Sequence, residues 1–210
     1  MRVFAIVLAC CVILGTVVAR NVAAQTPVFQ LAWGSQGSAD GQFQYPGGVT
    51  TDTNGNVYVV DTGNHRVQKF TAEGTFLMKW GSPGAGDGQF SYPMGVTIDG
   101  AGNVYIGDGG NHRIQKFGAD GTFLLKWGSQ GTGDGQFNFP YGVAADGAGH
   151  VYVCDKNNHR VQKFDTSGTH LLTWGQHGSG AGQLNYADGI AADGGGPTAY
   201  AGAAEKVRGR

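Results

Sequence analysis

Tyr92-Pro93-Met94-Gly95-Val96-Thr97-Ile98-Asp99 opens the stretch that decides the fold. Gly102-Asn103-Val104-Tyr105-Ile106, Asn111-His112-Arg113-Ile114-Gln115-Lys116-Phe117 and Phe123-Leu124-Leu125-Lys126-Trp127 follow it. In the last of these, Phe123, Leu125 and Trp127 alternate with Leu124 and Lys126. Period-two alternation marks a half-buried strand. Gly100-Ala101-Gly102 separates the first two runs, and such turns close hairpins because Gly tolerates positive φ. The stretch therefore predicts four short antiparallel strands in chain order, which is one propeller blade.

The same unit recurs on both sides. Trp33, Trp80, Trp127 and Trp174 are each 47 residues apart. Asn64-His65-Arg66, Asn111-His112-Arg113 and Asn158-His159-Arg160 keep that step. So do Asp52, Asp99, Asp146 and Asp193, and so do Phe43, Phe90, Phe137 and Leu184. A period of 40 to 50 residues belongs to propellers or solenoids, and the strand pattern selects the propeller. The expectation is an all-β chain of four-stranded antiparallel blades, three complete plus an incomplete fourth. The repeat units run about 34–80, 81–127 and 128–174, with a degenerate unit at 175–210.

Composition agrees. The 210 residues include 39 Gly, and only 14% are charged. Gly costs about 1 kcal/mol in a helix interior, so a helical bundle is disfavoured. Collagen is excluded because the Gly residues have no three-residue period and Pro totals 6. With 40% hydrophobic and 11% aromatic residues the chain can bury a core. The formal net charge of −1 speaks against nucleic acid as a partner.

The strings Tyr92 to Asp99, Gly102 to Ile106 and Asn111 to Phe117 resemble the NHL repeat, and the pattern recurs three times in full. The resemblance implies a β-propeller, commonly of about six blades. NHL propellers occur as the substrate- or RNA-binding ends of tripartite-motif ubiquitin ligases, as sensor domains of bacterial kinases and in the peptide-amidating lyase. This chain carries no RING-like Cys/His cluster and no single-blade catalytic set of the lyase kind.

The ends break the pattern. Phe29, Leu31 and Trp33 in the stretch 28–33 read as an outermost strand without its three partners. Gly189-Ile190-Ala191-Ala192-Asp193 reads as an innermost strand. Beyond it Gly194-Gly195-Gly196-Pro197 replaces the usual turn, Tyr200 is out of step, and no Asn-His-Arg follows. Either the N-terminal strand completes the fourth blade as a closed small ring, or the chain is an open arc, as a truncated or frameshifted propeller would be. An open arc exposes strand edges that invite self-association.

Residues 1–24 read as a signal peptide: Met1-Arg2, an apolar run from Val3 to Ala19, and Val22-Ala23-Ala24 before Gln25. An uncleaved anchor helix is the alternative. Cleavage predicts a secreted or periplasmic protein, bacterial in character, with no membrane span. Cys10 and Cys11 would be lost, leaving Cys154 without an intrachain disulfide partner.

The candidate ligand-face residues are Asn64, His65, Arg66, Asn111, His112, Arg113, Asn158, His159 and Arg160, with Asp87, Gln89, Asp134 and Gln136. In an up-and-down blade the d–a and b–c loops share one face, so these side chains crowd together there. Their bland reading is structural: each Arg anchors a long loop through Asp40, Asp87 and Asp134 or through backbone carbonyls. A zinc shared by His65, His112 and His159 fits poorly, because the residues stand on different blades away from the inner strand. Asp52-Thr53-Asn54-Gly55-Asn56 faintly suggests calcium but has too few carboxylates. Cys154 reads as a buried strand residue, His170 as a packing residue, and His177 has no evident partner. No catalytic residues, metal or cofactor are expected. The expected function is a non-catalytic scaffold for a protein, peptide or envelope glycan. A metal-dependent lyase or lactonase-like propeller is the alternative.

Overall fold

The computed structural model describes residues 31–193, 196–201 and 205–208. The signal-peptide segment and residues 28–30 lie outside them. β1 (Ser35–Gln36) and β2 (Gln42–Phe43) pair in parallel and pinch the first long loop. β3 (Pro46–Thr51), β4 (Val57–Asp61), β5 (Arg66–Phe70) and β6 (Phe76–Trp80) then form the first blade as an antiparallel sheet in chain order. The second blade holds β7 (Pro93–Ile98), β8 (Val104–Asp108), β9 (Arg113–Phe117) and β10 (Phe123–Trp127). The third holds β11 (Pro140–Ala145), β12 (His150–Asp155), β13 (Arg160–Asp165) and β14 (His170–Trp174). The fold class is thus the all-β blade repeat that the spacing predicts.

The blades hold together between sheets. Tyr58, Val60 and Val67 of the first blade pack on Phe90, Val96, Val104, Ile106 and Phe117 of the second. Tyr105 and Ile114 meet Phe137, Val143, Val151, Val153 and Phe164 in the same way. Trp80 bridges the junction, 6.2 Å from the Tyr58 ring and 5.9 Å from the Phe117 ring by centroids. Each such side chain contributes roughly 1.5–3 kcal/mol when fully buried. The period-two pattern therefore supplies both faces of every internal blade: one face grips the blade before it and the other the blade after.

Gly in the innermost strand sets how close the blades come. A Cβ on Gly95 would lie 2.2 Å from the Tyr141 carbonyl oxygen, and one on Gly142 would lie 2.6 Å from that of Asp188. Neighbouring inner strands can approach that closely only without a side chain at these positions.

The C-terminal unit differs from the sequence reading. The chain continues past β15 (Ala187–Asp193) into β16 (Gly196–Ala201) and β17 (Glu205–Arg208), giving an antiparallel three-stranded sheet. Strands form there despite the lost motif because backbone pairing needs no particular side chain. The turn is one residue shorter: Ala192 pairs with Pro197, whereas its counterpart Ala145 pairs with Val151. Tyr200 consequently pairs with Gly189, in the register place of Cys154 rather than of Tyr152.

At the other end, Leu31–Trp33 form no strand, although the alternation predicts one. The Trp33 ring still packs 6.3 Å from that of Phe70, the place Trp80 takes against Phe117. Among the described residues no strand closes the fourth sheet onto the first blade.

Candidate functional site

Each complete blade carries one buried polar knot at the junction of its middle strands. In the second blade, Asp108 ends β8 and a 3-10 turn over Gly109–Asn111 leads to His112, whose φ of 54° is left-handed. That turn brings Arg113 back onto Asp108: Nε donates to Oδ2 at 2.8 Å. Asn111 Nδ2 and Gln115 Nε2 donate to the same oxygen at 2.9 and 3.1 Å. The other oxygen accepts the Ser91 backbone N–H at 2.7 Å. Both Asp108 and Arg113 are buried.

The outer nitrogens of Arg113 reach into the long loop. Nη1 donates to the Ala85 carbonyl at 2.7 Å, and Nη2 donates to those of Gly86 and Gln89 at 2.8 and 2.9 Å. Asn111 also donates to the Gly84 carbonyl and Gln115 to that of Gln89. Gln115 Oε1 accepts the Gly88 N–H. Asp61, Asn64, Arg66 and Gln68 build the same knot in the first blade. Asp155, Asn158, Arg160 and Gln162 build it in the third. A guanidinium suits this task because its rigid fork of donors meets a carboxylate and several carbonyls together.

The three Arg residues therefore hold carbonyls, as the structural reading expects, but their carboxylate is Asp61, Asp108 or Asp155. The acidic residues expected for that role sit elsewhere. Asp40 and Asp87 pair with the exposed Lys79 and Lys126. Asp134 accepts from Thr173 Oγ1 at 3.2 Å and lies 3.6 Å from His170 Nε2. The displacement has a simple cause: the strand-end Asp is fixed five residues from its Arg, whereas the loop Asp points outward. Gln89 and Gln136 brace their own loops, their side-chain oxygens accepting the Gly86 and Gly133 N–H groups.

The His residues do a different job. His65 Nδ1 accepts the backbone N–H of Tyr92 at 3.3 Å, His112 Nδ1 that of Phe139 at 3.1 Å, and His159 Nδ1 that of Tyr186 at 3.2 Å. Each His thus ties its blade to the next, one link per junction. His177 does find a partner: its ring lies 4.4 Å from that of His159. Burial, and next the neighbouring His177, lower the His159 pKa below the usual imidazole value.

Two further positions behave as follows. Asp99 Oδ1 accepts the N–H groups of Ala101 and Asn103, and Oδ2 accepts from Asn103 Nδ2 and the Tyr105 hydroxyl. The carboxylate is thereby satisfied as a hairpin turn. Cys154 is fully buried in β12, its Sγ 3.6 Å from the Gly189 carbonyl, and burial pushes its thiol up to about 12. Among the described residues, no three His, Cys, Asp or Glu side chains group as metal ligands.

One repeat position was not among the expected ligand-face residues. Tyr45, Tyr92, Phe139 and Tyr186 occupy one repeat position, just before each inner strand. All four have left-handed backbone, with φ of 48°, 47°, 61° and 51°. Tyr45, Tyr92 and Tyr186 are 81%, 56% and 51% exposed. Their shared spacing of 47 was visible in the sequence, but their exposure was not.

The fold and its braced loops define a β-propeller-type repeat protein. The family model for the NHL repeat matches residues 43–70, 90–117 and 137–164. The chain thus carries three NHL repeats. It is 40% identical over 52 residues to the B-box type zinc finger protein ncl-1 of Caenorhabditis elegans, covering 25% of this chain and 6% of that one. It is 42% identical over 57 residues to protein lin-41 of the same organism, covering 27% and 5%. The matched stretch is thus a small part of either relative.

Among solved structures, a streptogramin B lyase aligns with a TM-score of 0.55 at 16% identity, over 77% of this chain and 53% of that one. A chain of a nidogen/laminin complex aligns at 0.56 and 16%, over 76% and 56%. The alignments span about half of those chains and show a shared fold.

Proposed function

We propose that the chain is an exported, non-catalytic NHL-repeat scaffold that holds a protein, peptide or envelope-glycan partner against its loop face. One observation carries the reading: in every complete blade the Asp, Asn, Arg and Gln of the knot are turned onto one another and onto the long loop. Asp108, Asn111, Arg113 and Gln115 leave the long loop fixed rather than free to react. A loop face held rigid by its own scaffold suits recognition, because little order has to be gained on binding. No observation on the described residues favours the lyase or lactonase alternative. The likeness to a lyase is one of fold, and fold does not carry function.

The test is a screen of the purified chain against displayed peptides and immobilised envelope glycans, followed by mass spectrometry of the bound material. Saturable binding with the ligand recovered unchanged supports the scaffold. Conversion of a ligand to product overturns it. Export has its own readout: a mature protein outside the cytoplasm whose N-terminal residue is Gln25. A cytoplasmic protein retaining Met1 removes that part of the proposal.

A further inference from the structure

We propose that Tyr45, Tyr92, Phe139 and Tyr186 form a carbohydrate-stacking arc on the loop face; this rests on the scaffold reading and names the class of its ligand. Four features of the arc support this assignment.

The first is backbone strain. Left-handed φ at a bulky non-Gly residue costs of order 1–3 kcal/mol and persists only where the surroundings enforce it. Here it recurs at all four copies. The strain turns the ring away from the packed blade, so three of the four rings are half or more exposed. Phe139 has the same backbone and is partly covered.

Rigidity is the second. The residue before each ring in the complete blades has its N–H held by the knot: Gln44 on Asp61, Ser91 on Asp108 and Asn138 on Asp155, at 2.6–2.7 Å. The ring residue's own N–H is held by the preceding blade's His at Tyr92, Phe139 and Tyr186. Inner-strand Pro follows Tyr45, Tyr92 and Phe139 and fixes φ there. The platforms are therefore pre-oriented.

The third is the chemistry beside the rings. His Nδ1 accepts a backbone N–H, so in the neutral ring the proton sits on Nε2 as a donor. The same tautomer opposes metal binding at Nε2, which would need that lone pair. Each Tyr adds a hydroxyl. The guanidiniums are buried in the knots and offer nothing to an anion. An uncharged ligand with one apolar face and a rim of hydroxyls, which describes a pyranose, complements such a site.

Spacing is the fourth. The rings recur once per blade, 47 residues apart along the chain, rather than in one contiguous run. Isolated stacking platforms suit a chain of discrete sugar rings better than a peptide, which needs either a free strand edge or adjoining pockets.

The experiment uses the full chain and retention on insoluble chitin, cellulose and peptidoglycan, with soluble chito- and cello-oligosaccharides as competitors. Retention on at least one polymer, displaced by the matching oligosaccharide, is expected. Tyr92→Asn with Tyr186→Asn should weaken it tenfold or more at unchanged melting temperature, because Asn tolerates the left-handed backbone. Tyr92→Phe with Tyr186→Phe should keep most of the affinity, as Phe139 already lacks the hydroxyl. Retention that ignores the Asn variants overturns the proposal. Absence from all three polymers, together with a peptide ligand that the Asn variants lose, overturns the sugar class and leaves the scaffold standing. Absence of any ligand for the face, sugar or peptide, overturns both.

Discussion

Asp108 and Arg113 meet with Oδ2 2.8 Å from Nε, and neither is exposed beyond a few percent of its surface. This ion pair is the hub of the blade: it joins β8, β9 and the long loop that leads into β7. Removing one member leaves the other as an uncompensated buried charge, which typically costs 3–5 kcal/mol. Arg113→Ala is expected to lower the unfolding free energy, measured by urea denaturation, by an amount in that range. Arg113→Lys should recover little, since an ammonium cannot serve the carboxylate and three carbonyls together. An Arg113→Ala protein as stable as the parent would contradict the structural role.

His159 sets a pH dependence at the junction of the third blade with the next. Its ring accepts the Tyr186 N–H through Nδ1, and protonation would turn that acceptor into a donor facing a donor. The folded state holds its pKa below the ordinary imidazole value of 6.5. Stability from this group is therefore fully present above about pH 6.5 and is lost as pH falls through the lower, folded-state pKa. Melting temperature measured from pH 7.5 to pH 5 should fall, and His159→Asn should flatten that slope. An unchanged slope in the variant would remove His159 as the cause.

Asp146 acts further into acid. Burial raises its pKa, but the His150 N–H and ring and the Tyr152 hydroxyl outweigh it and hold the carboxyl at about 2. The stability it confers is present above the ordinary value of 3.8 and is lost as pH falls towards 2. A shift of that size is worth about 2 kcal/mol before solvent screening reduces it. Asp146→Asn should reduce the acid dependence of unfolding between pH 4 and pH 2. An identical acid transition in both proteins would count against the turn.

Cys154 should be chemically silent in the folded chain. Its thiol is buried and held near 12, so little thiolate exists at pH 8. Native protein beginning at Gln25, and so without Cys10 and Cys11, should react with a thiol probe only after urea is added. Cys154→Val should change stability by under about 1.5 kcal/mol, because Val60 fills the same repeat position in the first blade. Fast labelling of the folded protein would show that β12 opens readily.

Gly95 tests how tightly the inner strands are packed. A Cβ there meets the Tyr141 carbonyl at 2.2 Å, a backbone atom that cannot swing aside. Gly95→Ala should cost more than about 1 kcal/mol, whereas Gly100→Ala, in open space, should cost little. Equal effects of the two changes would mean that the inner strands separate easily.

The period of Trp33, Trp80, Trp127 and Trp174 and the alternation of Phe123, Leu125 and Trp127 were enough for the blade and its strand order. These are local signals, set by residue spacing along one chain. The Arg113 anchor was legible in kind, since a repeated Arg in every unit serves every unit. Its carboxylate was not: the expected Asp87 stands in the long loop, whereas the left-handed turn at His112 folds Arg113 back onto Asp108 at the end of β8. The fourth unit shows the converse, where β16 and β17 pair after the side-chain motif has gone.

Sequence alone determined the repeat, the all-β class and the recurrence of the Asn-His-Arg motif once per complete blade, because hydrophobic period and residue identity act over short distances. Tertiary structure decided the rest. It set the His65, His112 and His159 links to the following blade, the His159–His177 contact and the outward turn of Tyr45, Tyr92 and Tyr186. Each joins residues about 20 to 30 apart or fixes a side chain's exposure. Such contacts follow from how blades stack, which no single repeat encodes.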